Sequence, residues 1–422
     1  MRLQPLRLQI AWVCFWLGCG MGGDGRSLRV ALIAGEPSGD VLGAGLMRAL
    51  YEQTGGRVTF TGIGGEQMAE EGLQSLFPIS ELAVMGLVEV LPRARALLRR
   101  IEQTAQFLLN DPPDVVVTID SPGFTRRLAQ KLMVRSFPLV HYVAPTVWAW
   151  RPGRARRLAR LYDHLLAVLP FEPPYFEVVG LPTTFVGHPA VETLRTARER
   201  EAVAAAHGRD FRRRHGLAAD ARLLVVMPGS RRGEVARLLP VFRDVLSRLK
   251  AEGLQFQVLL PTVGTVAPMV REAALSLPYP AIVLDRADER YAAMLTAEVA
   301  LAASGTATLE LGLAGTPTVL AYKVNPLTAA IVRRLIRIPY AGLVNILQKK
   351  LVMPEFLQQD CRAELIAPAL KTLLSDPAAR QQQIESCAAV ASQLGADDVL
   401  SPSHRAAGAV LAVAARRLHP PA

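Results

Sequence analysis

From Leu28 onward, short apolar and β-branched runs alternate with longer helical stretches along almost the whole chain. Bounded by Gly, Pro, Asp and Ser, these runs predict strands at 28–34, 58–64, 114–120, 138–144, 164–170 and 183–189. Helical stretches fall between them, as at 41–53 and 125–134. Residues 190–220 differ: they are rich in Ala, Arg and Glu, have little apolar periodicity, and read as a linker with a polar helix. The alternation then restarts, with predicted strands at 222–228, 255–261, 281–286, 299–304 and 317–324, and helices at 234–252 and 306–315. Such alternation indicates an α/β fold with parallel sheets. Two doubly wound domains are expected, at 28–189 and 221–395, with 190–220 between them and a C-terminal helix or tail at 396–422. In this kind of fold the tail often crosses back to the first domain. Two such domains facing each other would leave a cleft at the carboxyl ends of the strands, where open α/β sheets bind ligands.

The chain has 422 residues, half of them hydrophobic, which excludes a largely disordered protein. Its four cysteines, Cys14, Cys19, Cys361 and Cys387, are too scattered for a disulfide scaffold or a CxxC zinc site. The formal net charge is +11, and all but six of the 48 basic residues are arginine. That balance suits an anionic partner such as a phosphate, a nucleotide, nucleic acid or an acidic membrane surface, although an arginine-rich solvated surface has the same composition. The apolar run at 8–20 follows Arg2 and Arg7 and falls short of the roughly 20 residues a membrane-spanning helix needs. It reads either as signal-like or as an extension ahead of a start at Met21. The first core strand begins only at Leu28, which favours the later start and sets residues 1–27 aside as an N-terminal extension.

Four strand-to-helix turns carry candidate chemistry. Gly35-Glu36-Pro37-Ser38-Gly39-Asp40 joins the first strand to a helix, with glycines that permit close backbone approach but lack dinucleotide-fingerprint spacing. Helix capping by Ser38 or Asp40 explains part of this turn, whereas Glu36 has no obvious structural task. Asp120 closes the apolar run 115–119 and precedes Ser-Pro-Gly. A carboxylate there either caps the turn or takes a proton from a hydroxyl nucleophile. In the turn 227–234, Gly229 and Ser230 free the backbone, Arg231 offers a planar fork to phosphate oxygens, and Glu234 opens the next helix. The segment resembles a diphosphate seat and is not a Walker A loop; an exposed arginine pair is the alternative. Ser304, Gly305 and Thr306 form a further small-residue turn, and Glu310, one helical turn on, can accept hydrogen bonds from a ribose. No Asp-x-Asp cluster lies near either loop, so no metal and no other cofactor is expected, leaving arginine and helix dipoles to stabilise a leaving group. His141 and His188 sit at strand ends, where a lone histidine is either structural or a base; no Cys/His pattern supports a metal.

Residues 82–101 crowd Leu82, Val84, Met85, Leu87, Val88, Val90 and Leu91 ahead of Arg93, Arg95, Arg99 and Arg100. Apolar side chains beside arginines suit an anionic membrane interface, while an ordinary core helix with a solvated arginine face has the same pattern. Pro92 is expected to break or kink any continuous helix there.

The segments GEPSGD, ELAVMGLVEVL, TIDSPGF, HYVAPTVWAWRPGR, LPFE, FVGHP, PGSRRGEV and ASGTATLE, and the stretch around Asn345, occur in this order over residues 28 to 360. The chain thereby resembles the lipid-A-disaccharide synthase family of inverting, metal-independent GT-B glycosyltransferases. Pro37 stands where that family usually has Thr, which is expected to stiffen the loop and leave Glu36 in place. The resemblance implies UDP-2,3-diacylglucosamine as donor and 2,3-diacylglucosamine 1-phosphate as acceptor, with UDP and a β-1,6-linked disaccharide 1-phosphate as products. It implies Asp120 as general base on the acceptor 6-hydroxyl, Glu36 as its assistant or an acceptor-orienting group, Arg231 on the diphosphate, Glu310 on the ribose and Asn345 lining the donor site. It also implies a cytoplasmic protein held peripherally at the anionic inner-membrane surface, and it allows a homodimer. A UDP-sugar 2-epimerase would use similar halves but has no use for a lipid-seeking segment. A nucleic-acid-binding protein is disfavoured by 6% aromatic content and the lack of an RNP or zinc-finger pattern. Replacing Met85, Leu87 and Val88 together by Ser is expected to release the protein from anionic vesicles in a sedimentation assay; unchanged sedimentation would contradict the interfacial reading.

Overall fold

The computed structural model describes residues 26–82, 90–149, 153–202, 205–325, 329 and 338–418. Among these residues the chain divides into two units, one taking residues up to 189 and from 398 onward, the other residues 190–397.

The first unit runs β1 (Leu28–Ala34), α1 (Pro37–Gln53), β2 (Val58–Ile63), α2 (Glu66–Glu70), α3 (Val90–Asn110), β3 (Val115–Ile119), α4 (Pro122–Lys131), β4 (Leu139–Tyr142), α5 (Arg154–Ala159), β5 (His164–Ala167), α6 (Pro173–Glu177) and β6 (Thr183–Phe185). All six strands are parallel, in the order β2-β1-β3-β4-β5-β6. Each parallel step needs a crossover, and the helices that supply the crossovers cover both faces, so the central strands β1, β3 and β4 are largely apolar and buried. Ala31 and Ile33 of β1 and Val116 of β3 join a core with Ile101 and Leu108 of α3 and Leu128 of α4. The strand predicted at 183–189 is shorter than expected: β6 stops at Phe185, and Gly187 turns the chain with φ 91°.

The second unit runs α7 (Pro189–Ala202), α8 (Ala205–Arg214), β7 (Leu223–Met227), α9 (Arg232–Ala251), β8 (Gln257–Pro261), α10 (Ala267–Ala274), β9 (Ala281–Leu284), α11 (Ala287–Thr296), β10 (Val299–Ala303), α12 (Thr306–Ala314), β11 (Thr318–Tyr322), α13 (Leu343–Gln348), β12 (Glu355–Leu357), α14 (Ala363–Ser375) and α15 (Pro377–Gln393). Its six parallel strands are ordered β12-β11-β10-β7-β8-β9. Alternate residues of β7 serve the two faces, as the pleat requires. Leu224 and Val226 pack with Phe242 of α9 and Leu370 of α14, and Leu223 and Val225 pack with Met294 of α11 and Phe211 of α8.

That last contact revises the reading of 190–220 as linker with one polar helix. The segment forms two helices, and Phe211 is fully buried. One aromatic residue anchors α8, a signal too sparse to register as periodicity. The final helix, α16 (Pro402–Leu418), packs on α1 in the first unit and reaches β3 and β5. Gly45 makes the approach possible, since a Cβ there would lie 2.7 Å from Ser403 Oγ. The Gln53 side-chain amide donates to the His404 carbonyl at 2.7 Å across the same seam.

Pro92 does not break a helix, because α3 begins only two residues before it and the first turn has no intrahelical acceptor to lose. Val84, Met85, Leu87 and Val88 lie outside the described residues, and the side chains of Val90, Leu91 and Arg93 do too. Arg95 and Arg99 are exposed on α3, as is Leu98. Arg100 is committed elsewhere: it forms a two-pronged bond to Glu81 at 2.8 and 2.9 Å and lies over the Phe77 ring. Among the described residues no helix is long and apolar enough to cross a membrane.

Candidate functional site

In each sheet one pair of neighbouring strands sends its crossovers in opposite directions along the sheet. In the first unit the pair is β1 and β3; in the second it is β7 and β10. At such a switch point the two outgoing turns diverge and leave a crevice at the carboxyl edge, where ligands bind in open α/β sheets. All four candidate turns leave these four strands.

Ala34 of β1 lies in register with Ile119 of β3, so the turns carrying Glu36 and Asp120 begin side by side. They touch: a Cβ on Gly35 would lie 2.4 Å from Ser121 Oγ, so no larger residue fits there without displacing the Asp120 turn. Glu36 is exposed at the N-cap of α1, and Pro37 takes the first helical position, where its fixed φ is favourable. Asp40 is buried and caps a different helix from its own. Its carboxylate accepts from the backbone N–H groups of Gly65, Gln67 and Met68 at 2.7, 3.0 and 3.1 Å, tying α1 to the start of α2.

Asp120 and Ser121 both adopt left-handed backbone, each with φ 47°. Asp tolerates this region better than most residues, yet such conformations persist only where the surroundings enforce them. Here Asp120 N–H donates to the Tyr142 carbonyl at 3.0 Å, and Thr125 Oγ1 donates to the Asp120 and Ser121 carbonyls at 2.8 and 3.0 Å. The Asp120 side chain is half-buried. Burial raises its pKa above the ordinary carboxylate range, partly offset by a hydrogen bond from Ser121 N–H. A carboxylate that is desolvated, still partly accessible and fixed at a ligand edge is a competent proton acceptor.

The next loop is strained as well. Val143, just past β4, has φ 78°, rare for a β-branched residue, and its N–H is held by the Leu166 carbonyl at 3.0 Å. The loop it starts is buckled to the end of β5 by Glu172, whose carboxylate accepts from Trp148 Nε1 at 3.2 Å and Leu169 N–H at 3.0 Å. Trp148 also meets Phe171 edge-on at 5.1 Å. Glu172 is only 1% exposed, and burial pushes its pKa up to about 7 despite these donors. The two segments, HYVAPTVWAW and LPFE, carry no local pattern showing that they bond to each other. His141 is structural: its Nδ1 is 2.8 Å from Thr118 Oγ1, its ring stacks on Tyr162, and burial lowers its pKa to about 4. Burial likewise lowers His188 to about 4.

In the second unit Gly229 has φ 114°, and a Cβ there would meet Glu234 Oε2 at 2.8 Å. Glu234 is buried and faces its own loop. It accepts from Ser230 N–H at 3.3 Å, from Arg231 Nη1 at 2.9 Å and from the hydroxyl of Tyr322, at the end of β11, at 3.2 Å. Its acceptor capacity is thus spent on shaping the turn, while the Arg231 side chain remains 71% exposed. Tyr322 belongs to this cluster and carries no sequence signal. In the neighbouring turn, Gly305 and Thr306 are exposed and Ser304 Oγ donates to the Ala341 carbonyl at 3.2 Å. Glu310 is held by Tyr291 Oη at 3.5 Å and Arg290 Nη2 at 3.6 Å, and burial raises its pKa against the pull of Arg290.

Asn345, expected to line the donor site, is fully buried. Its Nδ2 donates to Met353 O and Glu355 Oε1, and its Oδ1 accepts from Val352 and Met353 N–H, all at 2.7–2.8 Å. That exhausts an amide's two donors and two lone pairs. Glu355 in turn accepts from the N–H groups of Ala341 and Gly342, so Asn345 braces the segment that meets Ser304. Among the described residues no group of three or more His, Cys, Asp or Glu could hold a metal ion.

A family model for lipid-A-disaccharide synthetase matches residues 30–407. The lipid-A-disaccharide synthase of Rhodospirillum centenum is 53% identical over 395 residues, covering 93% of this chain and 96% of its own. That of Paramagnetospirillum magneticum is 47% identical over 386 residues, covering 90% and 96%. Among solved structures, UDP-GlcNAc 2-epimerase from Neisseria meningitidis, bound to UDP-GlcNAc, covers 91% of this chain and 98% of its own with TM-score 0.62 at 12% identity. MurG of Acinetobacter baumannii covers 87% and 99% with TM-score 0.50 at 13% identity. At such identities the likeness shows the GT-B fold alone.

The Glu172 buckle has a pH signature. Its folded pKa of about 7 lies above the ordinary 4.5, so between those values the folded state holds a proton the unfolded state has lost. Stability should therefore rise as pH falls through this window, because more protons are bound when folded. Glu172→Gln is expected to flatten that dependence in urea unfolding followed across the window; an unchanged slope would show that Glu172 ionises freely.

Proposed function

The chain belongs to the lipid-A-disaccharide synthase family, and from that premise we propose that it joins two acylated glucosamines with inversion at the donor carbon. The enzyme is a glycosyltransferase. The donor in this reading is UDP-2,3-diacylglucosamine, the acceptor 2,3-diacylglucosamine 1-phosphate, and the products are UDP and the β-1,6-linked disaccharide 1-phosphate.

The observation that carries the reading is Asp120. It is half-buried at the switch point of the first sheet, raised in pKa, and fixed by a left-handed backbone beside the exposed Glu36. In the proposed step the Asp120 carboxylate takes the proton of the acceptor 6-hydroxyl as its oxygen attacks the donor anomeric carbon, and the bond to UDP breaks. Glu36 orients the acceptor or supports the base. The second unit holds the donor: Arg231 and the Gly229 turn meet the diphosphate, the Ser304-Gly305-Thr306 turn approaches it, and Glu310 binds the ribose. Charge that develops on the leaving diphosphate is met by guanidinium and helix N-terminus. Glu234 and Asn345 act through these groups, by holding their turns. The exposed Arg95, Arg99 and Leu98 on α3 support docking at an anionic inner-membrane surface, where both acylated substrates reside.

Product mass spectrometry with the two acylated substrates tests the reaction. Asp120→Asn is expected to lower turnover at least about a hundredfold while donor affinity survives; normal turnover would remove Asp120 from the chemistry. In the unaltered enzyme the acid limb of turnover should fall at a pH above the ordinary aspartate range, since the base must be ionised to act. Arg231→Ala is expected to weaken UDP binding about tenfold in calorimetry. Unchanged UDP affinity would assign Arg231 to the surface.

A further inference from the structure

At the amino edge of the first sheet, the opposite edge from Glu36 and Asp120, an open cavity of about 660 Å³ lies where the chain enters β4 and β5 and α16 ends. Arg135, Arg160 and Arg416 line it, together with Asp163 and His164. Asp163 is already engaged: its Oδ2 accepts from Arg135 Nη2 and from Leu139 N–H, both at 2.7 Å. Arg135 is locked in by further bonds to the Leu132 and Leu161 carbonyls. Arg160 and Arg416 are exposed, and among the described residues no acid pairs with either. The cavity therefore has three guanidinium groups and one carboxylate on its wall. His164 adds no charge: Nε2 lies 2.9 Å from Thr184 Oγ1, and burial together with the positive charge of Arg416 holds the imidazole down to about 4.

We propose that this cavity is an anion site for a phosphate group, held between the forks of Arg160 and Arg416 at the sheet edge opposite Glu36 and Asp120. Two unpaired planar forks with a net double positive charge match a dianion with several acceptor oxygens. A phosphate monoester is such a dianion, free in solution or borne on a lipid. The mouth permits either source, because Met133 on its wall is 60% exposed and Val134 beside it 90% exposed, an apolar lip next to a cationic pocket. The inference is independent of the reaction proposed above, since it uses none of the residues placed in that reaction.

His164 is the local reporter. Its imidazole signals, assigned by their loss in His164→Gln, are expected to move saturably when inorganic phosphate is added to the full chain at neutral pH. Arg160→Ala/Arg416→Ala should weaken that response at least about tenfold, whereas Arg160→Lys/Arg416→Lys, which keeps the charge, should retain most of it. Signals that never move, or that move equally in the alanine pair with its melting temperature unchanged, would overturn the site. Sedimentation with phosphatidylcholine vesicles, with and without phosphatidic acid, assigns the source. Loss of phosphatidic-acid-dependent sedimentation in the alanine pair marks a lipid-borne phosphate; equal sedimentation, beside a saturable phosphate response, marks a soluble one. Asp120→Asn should leave the His164 response intact, so failure of this site and failure of the proposed reaction are read separately.

Discussion

Two parallel strands that share a ladder but send their crossovers opposite ways cannot have both outgoing turns covered by the same helix layer. That constraint falls between β1 and β3 in one sheet and between β7 and β10 in the other. It leaves backbone N–H groups, small residues and a few carboxylates uncovered at the carboxyl edge, and the rest of the chemistry depends on it. The four turns involved contribute Glu36, Asp120, Arg231 and the Ser304–Thr306 segment, from positions far apart in the chain.

Holding such turns open has a structural cost, and the molecule meets it with buried carboxylates and amides. Left-handed backbone at Asp120, Ser121 and Val143 costs of order 1–3 kcal/mol at each residue. Around them, Asp40 ties α1 to α2, Glu172 buckles the loop after β4 to the end of β5, and Thr125 fixes the Asp120 turn. In the second unit Glu234 and Asn345 do the same for the Gly229 turn and the segment meeting Ser304. Each of these polar groups is buried and hydrogen-bonded, as burial demands. The polar groups left accessible in these turns are Glu36, Arg231 and in part Asp120.

Burial also sets the electrostatics. The same desolvation that raises Asp120 and Glu310 lowers His141, His164 and His188. Carboxylates at the carboxyl edge are thereby moved toward the pH at which they exchange protons, while the histidines are kept neutral and structural. Burial thus shifts the two kinds of group in opposite directions, and at His164 the positive charge of Arg416 adds to it.

Sequence by itself determined the α/β class, most strand and helix positions, and the four turns, because apolar periodicity and Gly, Pro and Ser at strand ends are local properties. The ordered motifs also identified the family. What only the tertiary structure decided is which polar residues in those turns stay exposed and which face the protein. Glu234 and Asn345 turned inward, Asp40 capped a helix other than its own, and Arg100 found Glu81, because each partner lies across a turn, a strand or a whole crossover. Tyr322, Glu172 and Trp148 entered the picture for the same reason, as did the arginine-lined cavity where α16 returns to the first sheet. A hydrogen bond set by how turns and strands come together leaves no periodic trace in the chain, so only the fold could reveal it.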